Sequence, residues 1–134
     1  MQYNGSERRR ARRIKVNLVV VYREDEPLDV RIRSGHQERQ ATMVDISEEG
    51  ISVLTDVNVA VATVLFIRFS LADDKSKGVD FYGAANVKGK VLYSIAGQTG
   101  QYRIGIQFCD LSSNDRVQIR NFVDVIEKRY PSND

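Results

Sequence analysis

Cysteine and histidine are nearly missing from this chain: Cys109 and His36 are the only ones in 134 residues. A lone thiol forms no internal disulfide, which suits a reducing compartment, and no cluster of His and Cys offers metal ligands. Long apolar runs are missing too. No uncharged stretch approaches the roughly 20 residues needed to cross a bilayer, and Met1 to Ser6 is polar rather than signal-peptide-like. These absences lead us to expect a cytoplasmic protein with no membrane span, no metal and no cofactor. They also disfavour an enzyme. His36 sits in a polar loop, no nucleophile has an evident base beside it, and Cys109 reads as an inert small side chain.

What the chain does have is charge, unevenly spread. Its composition, 42% hydrophobic and 28% charged, is ordinary for one globular domain with one core. The formal net charge of +2 conceals an asymmetry. The stretch ERRRARRIK, residues 7 to 15, carries Arg8, Arg9, Arg10, Arg12, Arg13 and Lys15 against the single acid Glu7, while the rest of the chain holds 14 basic and 17 acidic residues. Clustered like charges with nothing to bury repel one another. Residues 1–13 are therefore expected to form a flexible basic arm, followed by a folded domain over 14–134 that is mildly acidic. Such an arm calls for an anion.

Periodicity in the body is mostly that of strands. Ile14, Val16, Leu18, Val20 and Tyr22 alternate onto one face, and EDEPLD reads as a turn broken by Pro27. A short strand at DVRIRS, extended segments at RQATMVDIS and GISVLT, and a buried strand at ATVLFIRFSL follow. ADDKSKGVD reads as a polar loop, FYGAANVKGKVLYSI as a long extended run, AGQTGQ as a turn, and YRIGIQF as strict alternation with Ile104, Ile106 and Phe108 on one side. About six closely spaced strands with no helix between them predict an all-β antiparallel barrel or sandwich. The period then changes. Ser112 or Ser113 can cap a helix, Asp115 suits its first turn, and Ile119, Phe122, Val123, Ile126 and Tyr130 share one helical face before Pro131 ends it. That stripe is expected to cover a barrel end or pack on the sheet.

Two motifs carry chemistry. In DISEEG, Asp45 and Ser47 stand two residues apart, which on extended backbone puts carboxylate and hydroxyl on one face, and Gly50 permits a positive φ or a close backbone approach. The same letters also describe a plain side-chain-capped turn. In the arm, Arg9 and Arg13 form Arg-x-x-x-Arg. Guanidinium forks match phosphate oxygens and the O6/N7 edge of guanine, and a carboxylate accepts from guanine's N1–H and N2 amino donors. Together the motifs describe a metal-free site for a guanine nucleotide with phosphates.

RRARR ahead of a strand, DISEEG, and YRIGIQFCDLSSNDR at the last strand and helix entry make the sequence resemble the PilZ domain family, receptors for the bacterial second messenger cyclic di-GMP. The resemblance spans nearly the whole chain. It implies a six-stranded antiparallel β-barrel with a C-terminal helix and an N-terminal arm that folds over the ligand. The positions implied are Arg9 and Arg13 as the arginine pair, with Asp45, Ser47 and Gly50 as the strand-turn motif. Arg8, directly before the pair, is associated in the family with an intercalated pair of ligand molecules; Arg10 is expected to stack or to add a phosphate contact. Arg12 is expected to point to solvent. Tyr93 is either a stacking surface or an ordinary half-exposed barrel tyrosine. Ordering of the arm by ligand is expected to change a surface read by a downstream protein. Two other classes compete: a nucleic-acid binder using the arm on phosphates, which the acidic body disfavours and which DNA binding independent of Asp45 and Ser47 would reveal, and a PilZ-like adaptor that binds no ligand, which the intact motifs disfavour.

Overall fold

The computed structural model describes residues 12–25, 38–75 and 78–130. Six strands run in chain order as β1 (Ile14–Glu24), β2 (Arg39–Ile46), β3 (Gly50–Thr55), β4 (Val64–Lys75), β5 (Gly78–Ala96) and β6 (Tyr102–Cys109), and a helix α1 (Ser113–Arg129) follows. All pairs are antiparallel, in the order β1-β2-β3-β6-β5-β4, and β1 pairs with β4 to close a barrel. Closure removes the exposed edges that an open sheet would carry.

The alternation expected for β1 is realised: Ile14, Val20 and Tyr22 are buried, with Val16 and Leu18 partly so. Their partners inside include Met43, Ile46, Ile51, Val53, Leu65, Ile67, Phe69, Ile104 and Ile106. Two polar atoms that enter the interior find each other, Tyr22 Oη and Thr55 Oγ1 lying 2.8 Å apart. Register shifts in β1 between Lys15 and Leu18, in β2 between Met43 and Asp45, and in β5 between Val91 and Tyr93 bend the strands around the curve.

The polar stretch expected to be a loop is largely strand, since β4 runs to Lys75 and β5 begins at Gly78, with ladder pairs from Ala72↔Phe81 to Lys75↔Gly78. Backbone pairing outweighs side-chain polarity here. Asp73, almost buried, is also held by Arg129 of α1 at 2.8 Å. The expected strand at DVRIRS and its preceding turn at Pro27 fall within 26–37, as His36 does, and lie outside the described residues.

Helix α1 starts as the sequence indicates, with Ser112 Oγ accepting from the Asp115 N–H and Asp115 in the first turn. Ile119, Phe122, Val123 and Ile126 are buried against the barrel, Phe122 meeting Tyr82 edge-on with ring centroids 5.6 Å apart. Tyr130 does not join that stripe. It follows the last helical residue, where the backbone leaves helical geometry, and it is 55% exposed. No helix among the described residues is long and apolar enough to cross a membrane.

Candidate functional site

The DISEEG corner sits between β2 and β3. Ser47 donates its N–H to the Gly50 carbonyl at 2.9 Å, and its hydroxyl accepts from the N–H groups of Glu49 and Gly50 at 3.1 and 3.3 Å. Ser47 is 1% exposed, so its hydroxyl is spent on shaping the turn, the capped-turn role that the motif also allowed. Gly50 serves close approach rather than a positive φ. A Cβ at this position would lie 2.1 Å from the Ile106 carbonyl oxygen, so only glycine lets β3 meet β6 there.

Asp45 is held by side chains rather than by the turn backbone. It lies on the outer face of the barrel in register with Lys15 of β1 and Ser52 of β3, and its side chain is 14% exposed. Arg13, just ahead of β1, donates Nη1–H to Asp45 Oδ1 at 2.5 Å. The structure thus brings together one residue from each motif, separated by 32 positions in the chain. Arg103 of β6 donates Nη2–H to the other oxygen, Oδ2, at 2.8 Å. Arg103 belongs to neither motif and is absent from the expectations above. The only trace it leaves in the sequence is an arginine on the exposed phase of YRIGIQF.

The row across the outer face continues from Ser52 to Gly105 and on to Tyr93. Gly105 has no side chain, and the Tyr93 ring fills that space: a Cβ on Gly105 would fall 2.1 Å from Tyr93 Cε2. The Tyr93 hydroxyl lies 3.2 Å from Ser52 Oγ. Tyr93 is therefore pinned over Gly105 of β6 while remaining 37% exposed, and Gly105 is two cross-strand steps from Asp45. The neighbouring row, Val19–Thr42–Leu54–Arg103–Ile95, leaves Val19 and Ile95 exposed as well.

Arg12 does not point to solvent. It forms ion pairs with both Asp124 and Glu127 of α1. The helix carries a carboxylate pair there, one turn apart, and this offers the guanidinium more than water does. From the same side of the helix Arg120 donates to Glu48, within the DISEEG turn, at 2.9 Å. Arg12 and Arg13 thus diverge, one onto α1 and the other onto Asp45. Arg8, Arg9 and Arg10 lie outside the described residues.

On the far side of the barrel a cleft of about 430 Å³ is lined by Arg23, Phe66, Arg68 and Lys88 together with the entry to α1. Arg23 stacks on the Phe66 ring at 4.4 Å, and Arg68 pairs with Glu38 at 3.2 Å. No group of His, Cys, Asp and Glu among the described residues is arranged to hold a metal ion.

None of the curated proteins matches the sequence. Solved structures do match in fold. The inhibitor of motility MotI/DgrA of Bacillus subtilis superimposes with a TM-score of 0.68 at 10% identity, covering 98% of this chain and 55% of that one. MrkH of K. pneumonia, solved as a complex with c-di-GMP, gives 0.66 at 18% identity over 90% of this chain and 53% of its own. This chain therefore spans about half the length of those two proteins. The PilZ domain of YcgR from Escherichia coli, solved with c-di-GMP, gives 0.60 at 14% identity over 91% and 93%. Identities this low establish the fold alone. A family model, the PilZ domain, matches residues 7–124, from within the basic arm to well inside α1. With its six-stranded barrel and closing helix, the chain belongs to the PilZ domain family.

Proposed function

We propose that this protein is a cyclic di-GMP-binding receptor or adaptor whose arginine arm closes over the ligand at the Asp45 corner. The observation that carries the proposal is the meeting of Arg13 and Asp45 at 2.5 Å on the outer barrel face, which sets a guanidinium fork beside a carboxylate. Such a pair is complementary to a guanine nucleotide. The carboxylate accepts from N1–H and the N2 amino group, and the fork donates to phosphate oxygens or to the O6/N7 edge. Tyr93 supports the same reading, because a half-exposed ring held on Gly105 gives a purine a surface to stack on.

In this proposal Arg9 and Arg13 clamp guanine edges and phosphates, Asp45 fixes one guanine, and Ser47 and Gly50 hold the corner in shape. Arg8 and Arg10 add phosphate contacts or stacking, with Arg8 favouring an intercalated pair of ligand molecules. The domain performs no reaction. Its output is the ordering of the arm, which alters a surface that a downstream protein reads.

Calorimetric titration of the protein with cyclic di-GMP tests this. Binding is expected, with two ligands per protein, and Arg9→Ala, Arg13→Ala and Asp45→Ala should each weaken it at least about tenfold, since a charge-assisted hydrogen bond contributes about 1.5 kcal/mol or more. A ratio of one ligand per protein would remove the intercalated pair. The absence of binding would remove the receptor function.

A further inference from the structure

The geometry points to Arg103 as a further arginine of the nucleotide site, one that reads the guanine base from the barrel rather than from the arm. This inference rests on the cyclic di-GMP reading proposed above and names a residue that neither motif contains. Both oxygens of Asp45 accept from arginine, Oδ1 from Arg13 at 2.5 Å and Oδ2 from Arg103 at 2.8 Å. A guanine edge presents two donors, N1–H and the N2 amino group, and needs both of those oxygens. Each oxygen has a second lone pair, so guanine either uses the free lone pairs or displaces a guanidinium group, and in both cases the arginines are left beside the base.

The two arginines differ in what they can do next. Arg13 precedes β1 and is held in no strand ladder, so it can turn toward phosphate. Arg103 is fixed at its Cα by pairing with Leu54 of β3 on one side and Ile95 of β5 on the other, so only its side chain is free to adjust. That side chain is 46% exposed and makes no other polar contact among the described residues, which leaves most of its five donors available. Next to the N1–H that Asp45 accepts, guanine carries the O6 acceptor, and N7 lies beyond it. A guanidinium swung off Asp45 by a hydrogen-bond length meets that acceptor edge. Gly105 and the Tyr93 ring lie on the same outer face, two residues along β6, so the base rests against an aromatic surface while Arg103 and Asp45 hold adjacent parts of its rim.

Stability does not explain the Arg103 pair. An ion pair this exposed on the Arg103 side contributes little to folding, and the core beneath it is complete without it.

The test is titration calorimetry with cyclic di-GMP on the unmodified protein, Arg103→Ala and Arg103→Lys in one buffer, with thermal unfolding run alongside. Arg103→Ala is expected to bind at least about fivefold more weakly while its Tm stays within about 2 °C. Arg103→Lys, which keeps the charge and loses the planar fork, is expected to fall between the two. An Arg103→Ala affinity reduced less than fivefold, unchanged or improved overturns the inference, improvement being the mark of an arginine that merely competes for Asp45. Full affinity in Arg103→Lys overturns the base-edge role. If the unmodified protein itself does not bind, the receptor reading falls and this inference with it. If it binds and Arg103→Ala binds as well, the inference alone fails.

Discussion

Adding one methyl group at position 50 should loosen the barrel at the DISEEG corner. In Gly50→Ala the new Cβ would sit 2.1 Å from the Ile106 carbonyl oxygen, 3.1 Å from its carbon and 3.2 Å from Gln107 Cα. All three are backbone atoms of β6, so no side chain can swing aside. Carbon-to-carbonyl contacts settle at about 3.3–3.6 Å, which requires the strands to part by about 1.2 Å. The β3–β6 ladder begins at that pair, Gly50↔Gln107, and the Ser47 N–H to Gly50 O and Phe108 N–H to Glu49 O bonds lie in the same corner. Weakening two backbone hydrogen bonds at about 1 kcal/mol each, with overpacking at the low end of its range, gives a loss of about 3 kcal/mol. At about 3 °C per kcal/mol for a chain of this size, Tm falls by about 10 °C. Urea denaturation followed by far-ultraviolet circular dichroism measures the free-energy loss, and a thermal melt the fall in Tm. Gly97→Ala is the control, because its Cβ would meet only Gln101 O at 3.4 Å, and it should stay within about 0.5 kcal/mol of the unmodified protein. A Gly50→Ala protein destabilised by less than about 1 kcal/mol would refute the close-approach role of this glycine.

Ser47→Ala, which leaves the buried Gly50 N–H without its side-chain acceptor, should cost about 1–3 kcal/mol in the same assay. Phe122→Ala removes a fully buried ring between α1 and Tyr82 and should cost about 3–5 kcal/mol, with far-ultraviolet dichroism still showing a folded barrel at low temperature. Arg12→Ala breaks exposed pairs to Asp124 and Glu127, so its cost should be about 1 kcal/mol or less in dilute buffer and should vanish in 1 M NaCl, where the Debye length is about 3 Å.

The barrel and its closing helix are legible in the sequence because their signals are local. Alternation in β1 and β6, the Ser112 cap and the Ile119–Phe122–Val123–Ile126 spacing all follow from side-chain direction along a strand or helix. The β4–β5 hairpin tip was not legible, since polarity marks residues 72–75 as loop while their strand is held by the ladder and by Arg129, 56 positions away. Tyr130 has the right spacing for the helix's buried face but lies past its last turn. At the site, Asp45 and Arg13 follow from motif chemistry, whereas Arg103 becomes visible only when β6 is placed next to β3 and its side chain reaches Asp45, 58 positions away. Arg12 shows the same limit, because its carboxylate partners lie more than 110 positions away on α1.

In the proposed function a purine dinucleotide is gripped between the arginine arm and the outer barrel face around Asp45. Amide and arginine side-chain NMR shifts, followed as cyclic di-GMP is added to the labelled protein, test it most directly. Large changes are expected at Arg8 to Lys15, at Asp45 to Gly50, and at Tyr93, Arg103 and Gly105, with little at Phe66 and Arg68 across the barrel. Changes centred on the Phe66 cleft, or none in the arm and at Asp45 under saturating ligand, would contradict it.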